Sequence, residues 1–322
     1  MRQYIIRRLI LILPVVLGAS LIVFFLVRVA PGDIVLLILE GQGQAGKGGQ
    51  LASTEADKLR EELGLNKPIH VQYLDWLGGI VRLDMGKSMW TGRDIGGEIK
   101  ERYPVTLQLA LMAIFLSILV ALPVGILSAI YQDTWVDYVF RIFTVTTLAI
   151  PNFFVAILLI LALVLWFGYT PPLGFALFWE DPTKNLQQMI FPAAVLGLRL
   201  SAIVGRLTRS QMLEVMRLDY IRTARAKGLM ERTVVYRHAL KNALLPVITV
   251  SAIQFGALLG GTVIMETIFS LPGLGRALVE AIRFRDYTVV QNLVLLAAFT
   301  FASINLIVDV VYAWLDPRVS YG

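Results

Sequence analysis

Six long blocks of apolar side chains constrain this chain more than any other feature of its sequence. They run from Leu9 to Ala30, Val105 to Ile130, Val139 to Phe167, Ile190 to Val204, Leu244 to Met265 and Val289 to Leu315. A helix needs roughly 20 mostly apolar residues to cross about 30 Å of hydrocarbon, and within lipid only a helix or a closed barrel satisfies its own backbone. The fourth block has only 15 residues, but it runs into a polar helical pattern at Gly205 to Met216. One long helix emerging from the bilayer is expected there. Bulk composition agrees: 57% of the 322 residues are hydrophobic and 16% charged, against about 45–50% apolar content in soluble domains. The expected fold class is an all-α integral membrane protein with six transmembrane helices. Along the chain this gives residues 1–30 as N-terminal tail and first helix, 31–103 as an extracytoplasmic loop, and 104–322 as a five-helix core containing a cytoplasmic loop at 206–243.

Orientation follows from Lys and Arg beside the spans. The segment from Arg206 to Lys241 holds nine basic and three acidic residues, and the N-terminal tail holds Arg2, Arg7 and Arg8. With six spans both fall on one side, expected to be cytoplasmic together with the C-terminus. The first apolar run continues for 22 residues, longer than a signal-peptide core of about 7–15, so it reads as a retained span. Two short loops dissent: Tyr131 to Tyr138 carries Asp133 and Asp137 on the inner side, and Thr267 to Thr288 carries Arg276, Arg283 and Arg285 on the outer. Within the long outer loop, Ser53 to Leu63 reads as a short helix closed by Gly64.

Enzyme chemistry finds little support. There is no cysteine, and the two histidines, His70 and His238, fall on opposite expected sides. Gly41-Gln42-Gly43-Gln44-Ala45-Gly46-Lys47-Gly48 nearly spells a phosphate-binding loop, but Gly48 stands where a magnesium-binding Ser or Thr is needed. A flexible linker is the better reading.

The most informative segment is Asp219-Tyr220-Ile221-Arg222-Thr223-Ala224-Arg225-Ala226-Lys227-Gly228. It reads as a self-contained helix of roughly 12 Å, with Asp219 as N-cap, Arg225 and Lys227 at the cation-favouring end and Gly228 at the left-handed C′ position. Tyr220 and Ile221 offer apolar anchors. Physics alone leaves two readings open, a rod that docks on another protein and a basic loop against anionic lipid.

The run Tyr220 to Gly228, followed by His238-Ala239-Leu240-Lys241-Asn242-Ala243-Leu244-Leu245-Pro246, resembles the coupling loop of ABC-importer permeases of the dipeptide/oligopeptide/nickel family. Four further signatures resemble the same pattern in the same order: Arg7-Arg8-Leu9 with Pro31-Gly32-Asp33, Gly64-Leu65-Asn66-Lys67-Pro68, Glu266-Thr267-Ile268-Phe269-Ser270-Leu271-Pro272-Gly273-Leu274-Gly275, and Asp316-Pro317-Arg318. Two departures stand out. Arg222, Thr223 and Ala224 replace the general Glu-Ala-Ala, and Leu83-Asp84-Met85-Gly86 keeps only part of a Gly-Asp-Leu-Gly sequence. The resemblance implies a type I importer permease fold in a prokaryotic inner membrane, forming half of a pathway for peptides. It implies a second, distinct permease subunit, two cytoplasmic ATPase subunits that hold the ATP and magnesium, and an external solute-binding protein. It implies no catalytic, cofactor or metal residue in this chain and no nucleic-acid partner. Asp219 to Gly228 would contact the ATPase. Nickel, glutathione and oligosaccharides are alternative cargoes, and a secondary transporter or channel without ATPases is the alternative class.

Charges at membrane depth usually face a cavity or a partner. Arg28, Glu266 and Arg141 lie near span ends and are expected to snorkel to the interface. Arg199 lies inside the fourth span, and Asn305 and Asp309 share a face of the sixth. These three are candidates for the pathway or a subunit interface. Gly256 and Gly260 form a small-xxx-small face on the fifth span, suited to close helix approach and a further interface candidate.

Overall fold

A computed structural model describes residues 2–29, 35, 38–39 and 49–315. The glycine-rich stretch 41–48, Pro31-Gly32-Asp33 and Asp316-Pro317-Arg318 lie outside the described residues. The helices are α1 (Arg2–Val29), α2 (Gly49–Glu62), α3 (Ile69–Val81), α4 (Ile95–Ile130), α5 (Trp135–Ala149), α6 (Asn152–Phe167), α7 (Pro182–Val215), α8 (Asp219–Ala226), α9 (Leu240–Ile268), α10 (Leu274–Arg283) and α11 (Tyr287–Leu315). Five helical segments among the described residues are long and apolar enough to cross a membrane, and α5 with α6 makes a sixth when the bent pair counts as one span.

That pair departs from the single span expected over Val139 to Phe167, since α5 and α6 are bent by 100°. The cause is Pro151. Its ring disfavours the helical region for the residue before it, and it has no N–H to donate. Ile150 accordingly sits at φ −90°, ψ 128° and Pro151 at φ −63°, ψ 138°, both extended. The fourth block behaves as expected: α7 runs 34 residues, about 51 Å at 1.5 Å per residue. Asp181 starts it, accepting from the Lys184 N–H at 3.0 Å, with Pro182 at the first helical position.

The chain divides into two compact units. The smaller comprises Leu9–Pro104 and Pro272–Ala302. Its core joins Val23 of α1, Ile95 and Ile99 of α4, Ala277 and Ala281 of α10, and Val289, Val290 and Leu293 of α11. Asp286 caps α11 through the Val289 N–H and also accepts from the Ser88 hydroxyl and the Met89 and Trp90 N–H groups. One buried carboxylate thus fixes residues 88–90, just after the stretch Leu83-Asp84-Met85-Gly86. The helix expected over Ser53 to Leu63 is α2, which begins earlier, at Gly49.

The larger unit comprises Met1–Arg8, Val105–Leu271 and Ser303–Gly322. Leu109, Ala110 and Ala113 of α4 pack against Met189, Ala193, Leu196 and Leu200 of α7. These helices approach closely because Gly125 and Gly197 have no side chain. A Cβ at Gly125 would stand 2.6 Å from the Gly205 carbonyl oxygen, and one at Gly197 2.8 Å from that of Ala113. The small-residue seam of this fold is therefore Gly197, Ser201 and Gly205 on α7. On α9 Gly256 is buried, but among the described residues nothing lies within 4 Å of where a Cβ on Gly260 or Gly261 would stand. Within the described residues no helix therefore approaches Gly260 closely, and its place as an interface candidate stays a proposal.

A two-faced helix and a buried carboxylate node

The segment singled out in the sequence is α8, an eight-residue helix between α7 and α9. Ile221 is 0% and Ala224 7% exposed. They enter a core built from Ile126 and Ala129 at the end of α4, Met212 and Val215 at the end of α7, Val234, Val235 and Ala239, and Ala243 of α9. Residues three apart share a helix face, so this pair anchors α8 while Asp219, Arg222, Thr223, Arg225, Ala226 and Lys227 stay exposed.

Two details correct the sequence reading. Leu218, not Asp219, occupies the N-cap position, with no side-chain capping bond; Asp219 is the first helical residue and its exposed carboxylate meets Arg222 at 3.4 Å. Tyr220 is not a buried anchor. Its ring is exposed, and its hydroxyl accepts from Asn242 Nδ2 at 2.7 Å and donates to the His238 carbonyl at 3.3 Å. Gly228 does take the left-handed C′ position, at φ +78°. Arg225 pairs with Glu231 at 2.6 Å, a hydrogen bond that raises the guanidinium pKa above its ordinary value. Beyond Glu231, residues Val234–Ala239 form a π-helical turn leading into α9. Such turns often mark functional sites, and nothing in the apolar pattern announces it.

Close to this seat lies a node the sequence reading missed. Asp137 of α5 is fully buried and accepts five hydrogen bonds: from the Ser128 hydroxyl of α4, the Asp133 N–H at 3.1 Å, Arg141 at 2.6 Å, and Arg209 Nε and Nη2 of α7 at 2.8 and 2.7 Å. Arg141 therefore does not simply snorkel; it bridges Asp137 and Asp133. The bidentate Arg209 contact is the strong, geometrically specific kind. Ser128 adjoins Ala129, and Arg209 lies one turn before Met212, so the carboxylate clamps α5 to the two helix ends that seat α8.

The remaining candidates are dispersed. Arg199 is half-buried and makes no hydrogen bond or ion pair among the described residues. On a 100° per residue wheel it lies away from the exposed stripe of Leu186, Ile190, Ala194 and Leu198. Asn305 is half-buried, and the side chain of Asp309 lies outside the described ones. Glu266, expected to reach the interface, is instead 0% exposed and accepts from Thr106 Oγ1 at 2.8 Å. A short carboxylate stem on a packed helix finds a hydroxyl sooner than water.

The described residues form a polytopic helical protein with a short, two-faced helix between long apolar helices. Known proteins specify the class. Residues 121–321 match the family model described as binding-protein-dependent transport system inner membrane component, and residues 1–110 match the model for the N-terminal part of such components. The chain belongs to this family of ABC-importer permeases. A putative peptide transport system permease protein of Brucella suis biovar 1 is 40% identical over 321 residues, covering 100% of both chains. The dipeptide transport system permease protein DppB of Alkalihalophilus pseudofirmus is 37% identical over 346 residues, and the glutathione transport system permease protein GsiC of Salmonella choleraesuis 36% over 326, each again covering 100% of both chains. Among solved structures, an inward-facing MetNI methionine ABC transporter superposes with a TM-score of 0.54 at 17% identity, covering 66% of this chain and 93% of that one. An amino acid ABC transporter gives 0.50 at 15% identity, covering 65% and 90%. Both share the fold.

Proposed function

We propose that this permease forms half of a translocation pathway for di- or oligopeptides handed over by an extracytoplasmic solute-binding protein. A second, distinct permease subunit supplies the other half. Two ATPase subunits on the cytoplasmic side, carrying ATP and magnesium, grip α8. Both termini of the chain lie on that side. Peptide cargo rests on the names of the relatives; the coupling role rests on the two faces of α8.

The carrying observation is that Ile221 and Ala224 are buried while Arg222, Thr223, Arg225, Ala226 and Lys227 are bare. A helix held to lipid by basic charge would have no need of an apolar anchor entering the ends of three spans. Force applied to the bare face passes through Ile221 into the ends of α4 and α7 and the start of α9. Those helices are long and rigid, so a small displacement at one end alters access along them.

Reconstitution tests this reading. Purified with its partners into liposomes, the assembly takes up a labelled short peptide only when ATP and the solute-binding protein are both present. Uptake by the two permease subunits alone would instead assign the chain to carriers that work without ATPases.

A further inference from the structure

The smaller unit contains a cavity of about 370 Å³ whose lining includes Arg28, Glu62, Lys67, Gln72, Asp75 and Asp84. That volume is within the usual range of small-molecule sites, roughly 300–1,000 Å³. Arg28 is held from several directions by groups without charge. Its Nε and Nη2 donate to Gln72 Oε1 at 3.2 and 2.8 Å, and its Nη1 donates to the Phe24 carbonyl at 3.1 Å and to Gln291 Oε1 at 3.4 Å. The Phe24 ring centroid lies 3.4 Å from the guanidinium carbon. Gln72 is fixed in turn by donating to the Leu65 and Lys67 carbonyls, and Gln291 by donating to that of Tyr287. Two anchored amides thus aim their oxygens at a half-buried guanidinium, and no carboxylate among the described residues pairs with it. The described residues orient the side chain without neutralising it, which favours an anion beside it.

The rest of the lining selects the anion. Lys67 and Asp75 neutralise each other at 2.7 Å. Glu62 and Asp84 have no cationic partner among the described residues. Among the described residues the cavity therefore offers one cation and two carboxylates without a partner of opposite charge. A simple anion is drawn to Arg28 and repelled by the acidic pair, whereas a zwitterion with separated charges satisfies both. We propose that this cavity is a receiving site for the two ends of a short peptide, its free carboxylate on Arg28 and its ammonium towards Glu62 and Asp84. Trp76 and Met89 give apolar wall and leave the peptide's own side chains unread. The inference rests on the peptide reading above and adds a site on the permease where solute waits after release by the binding protein.

Equilibrium dialysis tests it. The complete importer, without its solute-binding protein, is placed in phosphatidylcholine nanodiscs with labelled alanyl-alanine, its C-terminal amide or its N-acetyl form. The free dipeptide is expected to bind about tenfold tighter than either blocked form, the size of one charge-assisted contact. Arg28→Met abolishes the preference over the amide, and Arg28→Lys retains part of it. Glu62→Gln with Asp84→Asn abolishes the preference over the N-acetyl form. Equal binding of all three ligands by the wild type overturns the site, as does an unchanged acid-to-amide ratio in Arg28→Met. Displacement of the dipeptide by added phosphatidylethanolamine at equal potency, whatever its peptide end groups, reassigns the cavity to a lipid headgroup. If Arg28→Met fails to assemble, the wild-type ligand series and Arg28→Lys decide alone. ATP-dependent peptide uptake with no end-group preference in dialysis removes the site only, whereas absence of both uptake and binding removes the peptide reading too.

Discussion

At the residue scale, Asp137 carries the most consequence. A fully buried carboxylate costs several kcal/mol to desolvate and is tolerated only with its hydrogen bonds complete; here Ser128, Asp133, Arg141 and Arg209 complete them. Asp137→Asn removes the charge and leaves two arginines facing a neutral amide, at a cost of about 3 kcal/mol. The expected result is a thermal unfolding midpoint several degrees lower in detergent and fewer peptides moved per ATP hydrolysed, because α5 no longer follows the ends of α4 and α7. An Asp137→Asn importer with wild-type stoichiometry would show the node to be structural only. Gly125 makes a steric prediction of the same kind. Any side chain there collides with the Gly205 backbone and Thr208, so Gly125→Val forces α4 and α7 apart. Its expected readout is loss of folded protein at the membrane, at a cost of about 2 kcal/mol or more.

At the element scale, α8 was legible in the sequence because a dense local code wrote it: a small-residue helix, basic at its C-terminal end, stopped by Gly228. What the code could not reveal was which face is buried, because that depends on Met212, Val234 and Ala243 arriving from elsewhere in the chain. The bend at Pro151 was hidden for another reason. Lipid-facing helices are apolar all round, so hydropathy alone reads two of them as one span, and only the proline marked the break. Asp137 was overlooked because two acidic residues in an inner loop read as an exception to the charge rule, although Asp137 and Arg141 stand four apart at ion-pairing distance along a helix. The bare face of α8 can be mapped directly, since the chain contains no cysteine. Thr223→Cys is expected to form a zero-length disulfide with a cysteine placed on the ATPase surface, whereas a cysteine at buried Ala224 is not. Gly228→Val is expected to leave insertion intact and reduce uptake at least tenfold, because a β-branched residue is strained at φ +78°. Full uptake from that variant would count against α8 as the handle.

At the scale of the whole molecule, family membership makes this chain a permease subunit rather than a self-sufficient carrier. Five to six spans were readable from the apolar blocks, yet the partners of the charges near them were not, because these depend on which other helix, or in the proposed assembly which other subunit, packs against each charge. Arg199 is the clearest case: it stands near the middle of the 34-residue α7, where a cation costs about 2.5–3.5 kcal/mol, and no described residue of its own chain compensates it. In the proposed assembly a solute in transit or a group on the second permease subunit would do so. Arg199 lies away from the apolar stripe that lipid or a partner helix would cover, so the proposed pathway is the side to test first. Arg199→Gln keeps the hydrogen-bonding head and removes the charge, so it is expected to leave co-purification of all subunits unchanged while lowering peptide uptake about tenfold, chiefly through a higher KM. Loss of the second permease subunit from the purified Arg199→Gln complex, with uptake falling in proportion, would instead assign Arg199 to the subunit interface.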